Sequence, residues 1–209
     1  MLIILLSAII NPSVPYGRIN IEDRINDYIK SFNHWNILVG NIPYKVFIFE
    51  NSGYEYSFNL NDKITYISEH VELNIDGQGK GRSLAASIKR FIDIMKLQED
   101  DKLLVMTARY APLDPPYKLF ELIEENELVI SGLTPKFGKM NTEWFAGSIK
   151  ILRYIMNYCI LYSVDKIINF ENTFYNAMQK LKITPKKYYE PIYVIPTFYG
   201  GINKYTDYI

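Results

Sequence analysis

The sequence has few of the residues that build disulfide bonds and metal sites. A single cysteine, Cys159, is present among 209 residues, which excludes an intramolecular disulfide and favours a reducing compartment such as the cytosol. Cys159 lies in an apolar pattern of helical period, which predicts a core residue and not a nucleophile. The only two histidines, His34 and His70, are far apart and have no cysteine partner, so neither is expected to bind a metal.

Neither sign of charge is in surplus. Lys plus Arg and Asp plus Glu each number 23, and a protein that binds nucleic acid generally needs a basic surplus, so the composition argues against that class. Long uninterrupted apolar runs are also missing. Residues 2–10 lack the cationic start and cleavage site of a signal peptide and are predicted to form a buried strand. Residues 149–164 are interrupted by Lys150, Arg153 and Asn157, so no membrane span is expected.

Two common phosphate-binding fingerprints are absent. Residues 77–83 read Gly-Gln-Gly-Lys-Gly-Arg-Ser and fit neither G-x-G-x-x-G nor the P-loop pattern, which argues against a dinucleotide dehydrogenase and a P-loop enzyme. The stretch still combines glycines, which let a backbone approach a phosphate, with Lys80 and Arg82 at a predicted helix start. A phosphate-binding loop and a simple basic turn both remain possible interpretations.

What the sequence does contain is an alternation of apolar strands and amphipathic helices. Strands are predicted over residues 2–10, 44–49, 71–75, 103–106, 127–131 and 192–195. Helices are predicted over residues 20–32, 84–95, 119–125, 142–163 and 171–181, and residues 59–69 stay unassigned. The order strand, helix, strand is typical of a parallel sheet, so we expect an α/β fold with a mostly parallel central sheet flanked by helices.

The most informative stretch is residues 103–110, Leu-Leu-Val-Met-Thr-Ala-Arg-Tyr. It begins as a buried strand and ends in a hydroxyl, a cation and a phenol, which is the usual place for a site in an open α/β sheet. A guanidinium such as that of Arg109 can donate two parallel hydrogen bonds to diphosphate oxygens. The alternative is an Arg109 that only pairs with a surface carboxylate.

A second polar stretch, residues 141–147, reads Asn-Thr-Glu-Trp-Phe-Ala-Gly and opens the helix predicted from Thr142. On one interpretation Thr142 and Glu143 form only the helix N-terminus. On the other, Glu143 is a general base that takes a proton from an acceptor hydroxyl. Trp144 and Phe145 would then offer apolar faces to a sugar ring.

The order of these motifs resembles that of the GT-A glycosyltransferases, over roughly residues 1–150. The matching features are the loop after the first strand, Phe49-Glu50 at the end of the second, Gly79-Lys80-Gly81 before a helix, Thr107-Ala108-Arg109-Tyr110, and residues 142–147. A subset of bacterial and viral members has a Thr-Gly-Arg-Tyr-like strand end where others have Asp-x-Asp. This chain is similar to that subset, with large-virus enzymes that glycosylate a capsid protein as a narrower match.

The resemblance implies a single Rossmann-like GT-A domain over residues 1–209, with a nucleotide-binding half (1–110) and an acceptor-binding half (111–209). It implies transfer from a UDP-sugar to a hydroxyl of a glycan or glycoprotein, in the cytoplasm, or in the host cytoplasm for a viral chain. The implied donor-binding residues are Ser7, Ala8, Asn11, Glu50, Asp76, Gln78, Gly79, Lys80, Arg82, Thr107 and Arg109.

The remaining roles combine the resemblance with the interpretation of the residues given above. Arg109 would stabilise the leaving diphosphate, Glu143 would be the base of an inverting reaction, and Tyr110, Trp144 and Phe145 would contact the acceptor. Because Thr107 and Arg109 occupy the position of Asp-x-Asp, dependence on Mn²⁺ or Mg²⁺ stays open and no metal ligand is assigned. Two alternatives remain, a sugar nucleotidyltransferase that releases pyrophosphate and a carbohydrate-binding protein without catalytic activity.

Overall fold

The computed structural model describes residues 1–11, 20–71, 80–133, 142–163, 169–198 and 205–209. Helices and strands alternate through most of these ranges. In chain order they are β1 (Leu2–Ala8), α1 (Ile21–Leu38), β2 (Lys45–Glu50), β3 (Ile64–Ser68), α2 (Lys80–Ile94), β4 (Lys102–Thr107), α3 (Tyr117–Glu125), β5 (Leu128–Ser131), β6 (Trp144–Ser148), α4 (Ile149–Tyr162), α5 (Phe170–Leu181), β7 (Lys186–Tyr188), β8 (Tyr193–Phe198) and β9 (Tyr205–Tyr208).

Seven of these strands form one sheet in the order β3-β2-β1-β4-β6-β5-β7. Neighbouring strands are parallel except at β6, which runs antiparallel to both β4 and β5. The strands β8 and β9 pair with each other in a separate antiparallel ribbon. An inner strand of a largely parallel sheet is covered on both faces, which explains why β1 is an almost continuous run of Leu and Ile.

Alternate residues of β1 belong to two different hydrophobic cores. Leu2, Ile4 and Leu6 pack on the face covered by α1 and α3. Ile3 and Leu5 pack on the opposite face, which is covered by α2, α4 and α5. The layers are therefore helix, sheet and helix, and the predicted fold class is confirmed.

The helix predicted from Thr142 is wrong in its first turns. Residues 144–148 form β6, which is buried throughout, and the helix begins only at Ile149. A Cβ atom on Gly147 would lie 2.9 Å from the carbonyl oxygen of Glu127, so the backbones of two neighbouring segments approach each other closely here. The apolar run continues from strand into helix, and periodicity therefore does not mark the boundary.

Several other boundaries differ from the predicted ones. The helix predicted to end at residue 32 continues to Leu38, and β3 lies in the stretch that stayed unassigned. In the strand predicted for residues 71–75, Val71 lies outside any strand, and residues 72–75 lie outside the described ranges. The sequence pattern also does not predict β7 or β9.

Cys159 is a core residue, as its apolar surroundings in the sequence predict. Its side chain is fully buried in α4, and burial raises the pKa of the thiol to about 12. A thiol with this pKa is almost entirely protonated at neutral pH and is a poor nucleophile. None of the helices within the described ranges is both long enough and apolar enough to span a bilayer.

Candidate active site

The parallel strands β1, β2 and β4 end side by side at Ala8, Glu50 and Thr107, and we call this side of the sheet the carboxyl edge. The chain passes from β1 to β2 on one side of β1, whereas β4 pairs with β1 on its other side. Such a change of direction opens a crevice between the two strand ends, where ligands usually bind in α/β sheets. Ser7 is paired with Thr107 here, and the N–H of Ala108 donates to the Ser7 carbonyl at 2.9 Å.

Burial alternates along the end of β4. Ala108 and Tyr110 are fully buried, whereas Thr107 and Arg109 are partly exposed. The hydroxyl and the guanidinium are therefore the polar side-chain groups of this strand end that solvent reaches. Within the described part of the chain, Arg109 makes no hydrogen bond and no ion pair. The alternative in which Arg109 pairs with a surface carboxylate is thus not seen among those residues.

The positive charge of Arg109 acts on the pKa of Tyr28, a buried phenol of α1. Burial raises the pKa of Tyr28 above its ordinary value, and the positive charge of Arg109 opposes that rise. The Tyr28 hydroxyl accepts a hydrogen bond from the N–H of Ile9 at 2.9 Å and donates to the Ile9 carbonyl at 3.2 Å. The backbone that follows β1 and the cation that follows β4 therefore lie near the same phenol.

Glu143 lies beside the end of β4, because β6 runs antiparallel and begins at the carboxyl edge. The N–H of Thr107 donates to the carbonyl oxygen of Glu143 at 3.2 Å. The Glu143 side chain is partly exposed. Its neighbour Thr142 donates to a carboxylate oxygen of Glu171, in the first turn of α5, at 3.1 Å. The backbone of Glu143 therefore lies beside Thr107, two residues before Arg109, the other residue for which the sequence predicts a catalytic role.

Glu50, the last residue of β2, is fully buried, and its carboxylate accepts hydrogen bonds from the protein itself. The donors are the N–H of Ile10 at 2.9 Å, the N–H and hydroxyl of Ser52, the N–H of Tyr54 at 2.8 Å and the Ser68 hydroxyl at 3.3 Å. These bonds hold the turn after β2 against the chain that follows β1. Glu50 therefore has a part in shaping the crevice, and its predicted place among the donor-binding residues stays a prediction.

Three further predicted donor residues lie at the end of β1. Ser7 is partly exposed and Ala8 is buried, and the Ala8 carbonyl accepts a hydrogen bond from the N–H of Asn51 at 3.1 Å. Asn11 is exposed, and its backbone N–H donates to the Ser52 hydroxyl at 3.1 Å. Hydrogen bonds at Ala8 and Asn11 therefore hold this end of β1 against the turn after β2.

The predicted phosphate contacts at the start of α2 are only partly described. Lys80 is the first residue of the helix. Arg82 directs one guanidinium nitrogen to the Leu161 carbonyl at 3.4 Å, in the last turn of α4, where a helix dipole favours a cation. Its buried Nε has no hydrogen-bond partner among the described residues. Asp76, Gln78 and Gly79 lie outside those residues.

The three aromatic residues predicted to contact the acceptor are core residues. Tyr110 and Phe145 are fully buried and Trp144 is 1% exposed. Trp144 packs edge-on against Tyr188 with ring centroids 6.0 Å apart, and Phe145 packs in the same way against Phe174 at 4.9 Å. The prediction that these rings offer surfaces to a sugar is corrected, because side chains of an inner strand alternate between the two buried faces of the sheet.

Two residues after β2 were not among the predicted site residues. Asn51 is 4% exposed, and its amide nitrogen donates to the Ser87 hydroxyl at 2.8 Å, which ties the end of β2 to α2. Ser52 links Glu50 to the backbone that follows β1. The signal in the sequence is a polar turn directly after a buried strand, the same signal that identifies Arg109.

The residues at the end of β4 do not fit a divalent cation. This strand end offers a hydroxyl and a guanidinium, and a guanidinium repels a metal ion and has no lone pair to give it. In the ranges that the structure describes, no three or more His, Cys, Asp or Glu side chains lie close enough together to hold a metal. The end of β4 therefore lacks the pair of carboxylates that an Asp-x-Asp strand end offers to a metal ion.

No protein-family model and no curated protein matches the sequence. A solved structure from Desulfovibrio desulfuricans G20, which carries the name nucleotide-diphospho-sugar transferase, matches 90% of this chain and 79% of its own, with a TM-score of 0.53 and 8% identity. This likeness confirms a shared Rossmann-like, GT-A type of fold. Two further solved structures match more loosely. Galactosyltransferase LgtC, in complex with donor and acceptor sugar analogues, has a TM-score of 0.46 and 11% identity, over 85% of this chain and 70% of its own. The enzyme 4-diphosphocytidyl-2C-methyl-D-erythritol synthase has a TM-score of 0.48 and 14% identity, over 90% of this chain and 88% of its own.

Proposed function

We propose that this protein transfers a sugar from a nucleotide-diphosphate donor to a hydroxyl group, with the donor bound at the carboxyl edge between the ends of β1 and β4. The observation that carries the proposal is Arg109, a guanidinium at the point where the strand order reverses, with no partner among the described residues. Its planar donor groups suit two oxygens of a diphosphate. The fold shared with a protein named as a nucleotide-diphospho-sugar transferase supports the same class of substrate.

The leaving group sets the first chemical requirement. When the bond between the sugar and the diphosphate breaks, its electron pair stays on the diphosphate, which gains negative charge. Arg109 would stabilise that charge from a position fixed before the reaction, so little reorganisation is needed. The hydroxyl of Thr107, and Lys80 and Arg82 at the start of α2, would add donors to the phosphates.

The acceptor sets the second requirement, because a hydroxyl is a weak nucleophile near neutral pH. In our proposal Glu143 takes the proton of the acceptor hydroxyl while the hydroxyl oxygen bonds to the anomeric carbon. With a single base on the side opposite the leaving group, the acceptor attacks from that side and the configuration at the anomeric carbon is inverted. We propose a glycan or glycoprotein hydroxyl as acceptor and a UDP-sugar as donor, with the uridine beside the end of β1.

The test is a calorimetric titration with UDP, GDP and CMP, each in manganese and in EDTA. Wild-type protein should bind UDP selectively, and binding that survives EDTA is expected if Arg109 supplies the charge that a metal supplies elsewhere. Arg109→Ala should bind UDP more weakly. Arg153→Ala is the matched control, because it removes the same charge from α4, where Arg153 pairs with Asp93.

Each other outcome contradicts part of the proposal. Binding that requires manganese would show that a cation and not Arg109 neutralises the diphosphate. Preference for a nucleoside triphosphate with release of pyrophosphate would identify a nucleotidyltransferase. A protein that binds glycans and no nucleotide would be a carbohydrate-binding protein, and the transferase proposal would be abandoned.

A further inference from the structure

Four side chains of α1 donate hydrogen bonds to the backbone on both sides of the crevice. They are Arg24, Tyr28, Ser31 and Trp35, and their spacing places them on one face of the helix. All four are buried, at 0–4% exposure. A polar group in a core costs free energy unless it is hydrogen-bonded, so the contacts of these four side chains are informative.

The first two contacts fix the chain that leaves β1. Arg24 donates from Nη1 to the carbonyl oxygen of Ile9 at 2.7 Å. Tyr28 binds both the N–H and the carbonyl of Ile9 through its hydroxyl. Ile9 lies just beyond the last residue of β1, where the sheet no longer supplies partners for its backbone.

The other two contacts fix the chain that leaves β4. The Ser31 hydroxyl donates to the carbonyl of Ala108 at 2.7 Å, and the Trp35 indole donates to the carbonyl of Tyr110 at 3.0 Å. These two carbonyls belong to the residues directly before and after Arg109. The N–H of Tyr110 also donates to the Thr107 carbonyl at 3.0 Å, which closes a turn around Arg109.

We infer that Ser31 and Trp35 are positioning residues for Arg109. They hold the backbone on both sides of it, and thereby direct the guanidinium towards the crevice between β1 and β4. A cation on a fixed backbone loses less conformational freedom when it binds a diphosphate, which strengthens binding without any new contact to the ligand. This inference rests on the proposed function, in which Arg109 binds the diphosphate of the donor.

A purely structural role makes a different prediction. If the two bonds only satisfied buried carbonyls, their loss would lower the free energy of unfolding and would leave nucleotide affinity unchanged. A double-mutant cycle separates the two roles, because a residue that acts through Arg109 has no further effect once Arg109 is gone.

The experiment measures UDP affinity and the unfolding midpoint for Ser31→Ala and Trp35→Phe, each in the wild-type and in the Arg109→Ala background. In the wild-type background each change should weaken UDP binding by about fivefold, the usual worth of one hydrogen bond. In the Arg109→Ala background the affinity should not change further. The control is Thr173→Val in α5, on the other face of the sheet, where a buried hydroxyl donates to a backbone carbonyl, that of Asn169, at 2.9 Å.

A second measurement covers the case in which Arg109→Ala binds UDP too weakly for the cycle. Ser31→Ala should reduce the salt dependence of UDP binding, because a guanidinium held in the wrong direction attracts the diphosphate less, and salt then has less attraction to screen. Thr173→Val should leave the salt dependence unchanged. Unchanged affinity and salt dependence in Ser31→Ala and Trp35→Phe would overturn the inference and leave the proposed function standing. Unchanged affinity in Arg109→Ala alone would instead overturn the proposed function.

Discussion

The backbone N–H of Thr107 lies 3.2 Å from the carbonyl oxygen of Glu143 and donates to it. This bond continues the antiparallel pairing of β4 with β6 one step beyond Met106 and Trp144. Because β6 runs antiparallel to β4, β6 begins at the carboxyl edge, where β4 ends at Thr107. The backbone segments that carry Arg109 and Glu143 are therefore neighbours at this edge.

Glu143→Gln is expected to spare UDP binding and to lower the turnover of a UDP-sugar by about a hundredfold or more, the typical worth of a general base. The amide keeps the size of the side chain but cannot accept the proton of a hydroxyl. The measurement is UDP release from UDP-glucose, UDP-galactose and UDP-N-acetylglucosamine, with Glu121→Gln on the surface of α3 as the control. Full activity in Glu143→Gln would show that another group is the base.

Glu50→Gln is expected to destabilise the protein even without ligand. The carboxylate accepts hydrogen bonds from Ile10, Ser52, Tyr54 and Ser68. In the glutamine one carboxylate oxygen is replaced by an NH2 group, which would face donor groups and leave them without an acceptor. Each buried group left without a partner costs about 1–3 kcal/mol. Urea unfolding should show the loss.

The control for this prediction is Glu55→Gln, a change of the same kind on an exposed residue of the following loop. It should leave the free energy of unfolding nearly unchanged. If Glu50→Gln were as stable as this control and only bound UDP more weakly, Glu50 would contact the ligand and would not hold the turn.

How much of this site the sequence predicts depends on the kind of signal. The place of Arg109 just after a buried strand is predicted because a polar end on an apolar strand is visible in the order of residues. Trp144 is misassigned because an apolar run reads the same in a strand and in a helix. Ser31 and Trp35 are missed because a helical pattern shows which residues share a face, but not which distant carbonyl they bind.

Gly147→Ala is expected to lower the free energy of unfolding by about 1–3 kcal/mol, as overpacking of a core usually does. The added methyl group would lie 2.9 Å from the Glu127 carbonyl oxygen and 3.1 Å from a methyl group of Leu128. The control is Gly40→Ala, where the nearest atom, the Ile37 carbonyl oxygen, is 3.3 Å away on an exposed turn. Equal stability of the two variants would contradict the close approach of β6 to the start of β5.

Asp93 is expected to make the stability of the protein depend on pH in the acid range. Partial burial of Asp93 opposes its ionisation, but hydrogen bonds from Lys89 at 2.7 Å and Arg153 at 2.6 Å outweigh that effect and lower the pKa of Asp93. Because the pKa is lower in the folded state, the stabilisation is complete above the ordinary aspartate pKa of about 4. It is lost as the pH falls through the folded-state value.

Asp93→Asn should therefore be less stable than wild type at pH 7, and the difference should shrink as the pH falls below about 4. Both ion pairs are partly exposed, so each is worth only about 0.2–1 kcal/mol. The measurement is urea unfolding from pH 7 down to about pH 2.5, below the ordinary aspartate pKa. Asp100→Asn is the control, because Asp100 is exposed and makes no hydrogen bond or ion pair with the described residues. A difference between Asp93→Asn and wild type that stays constant over this range would show that the two ion pairs do not cause it.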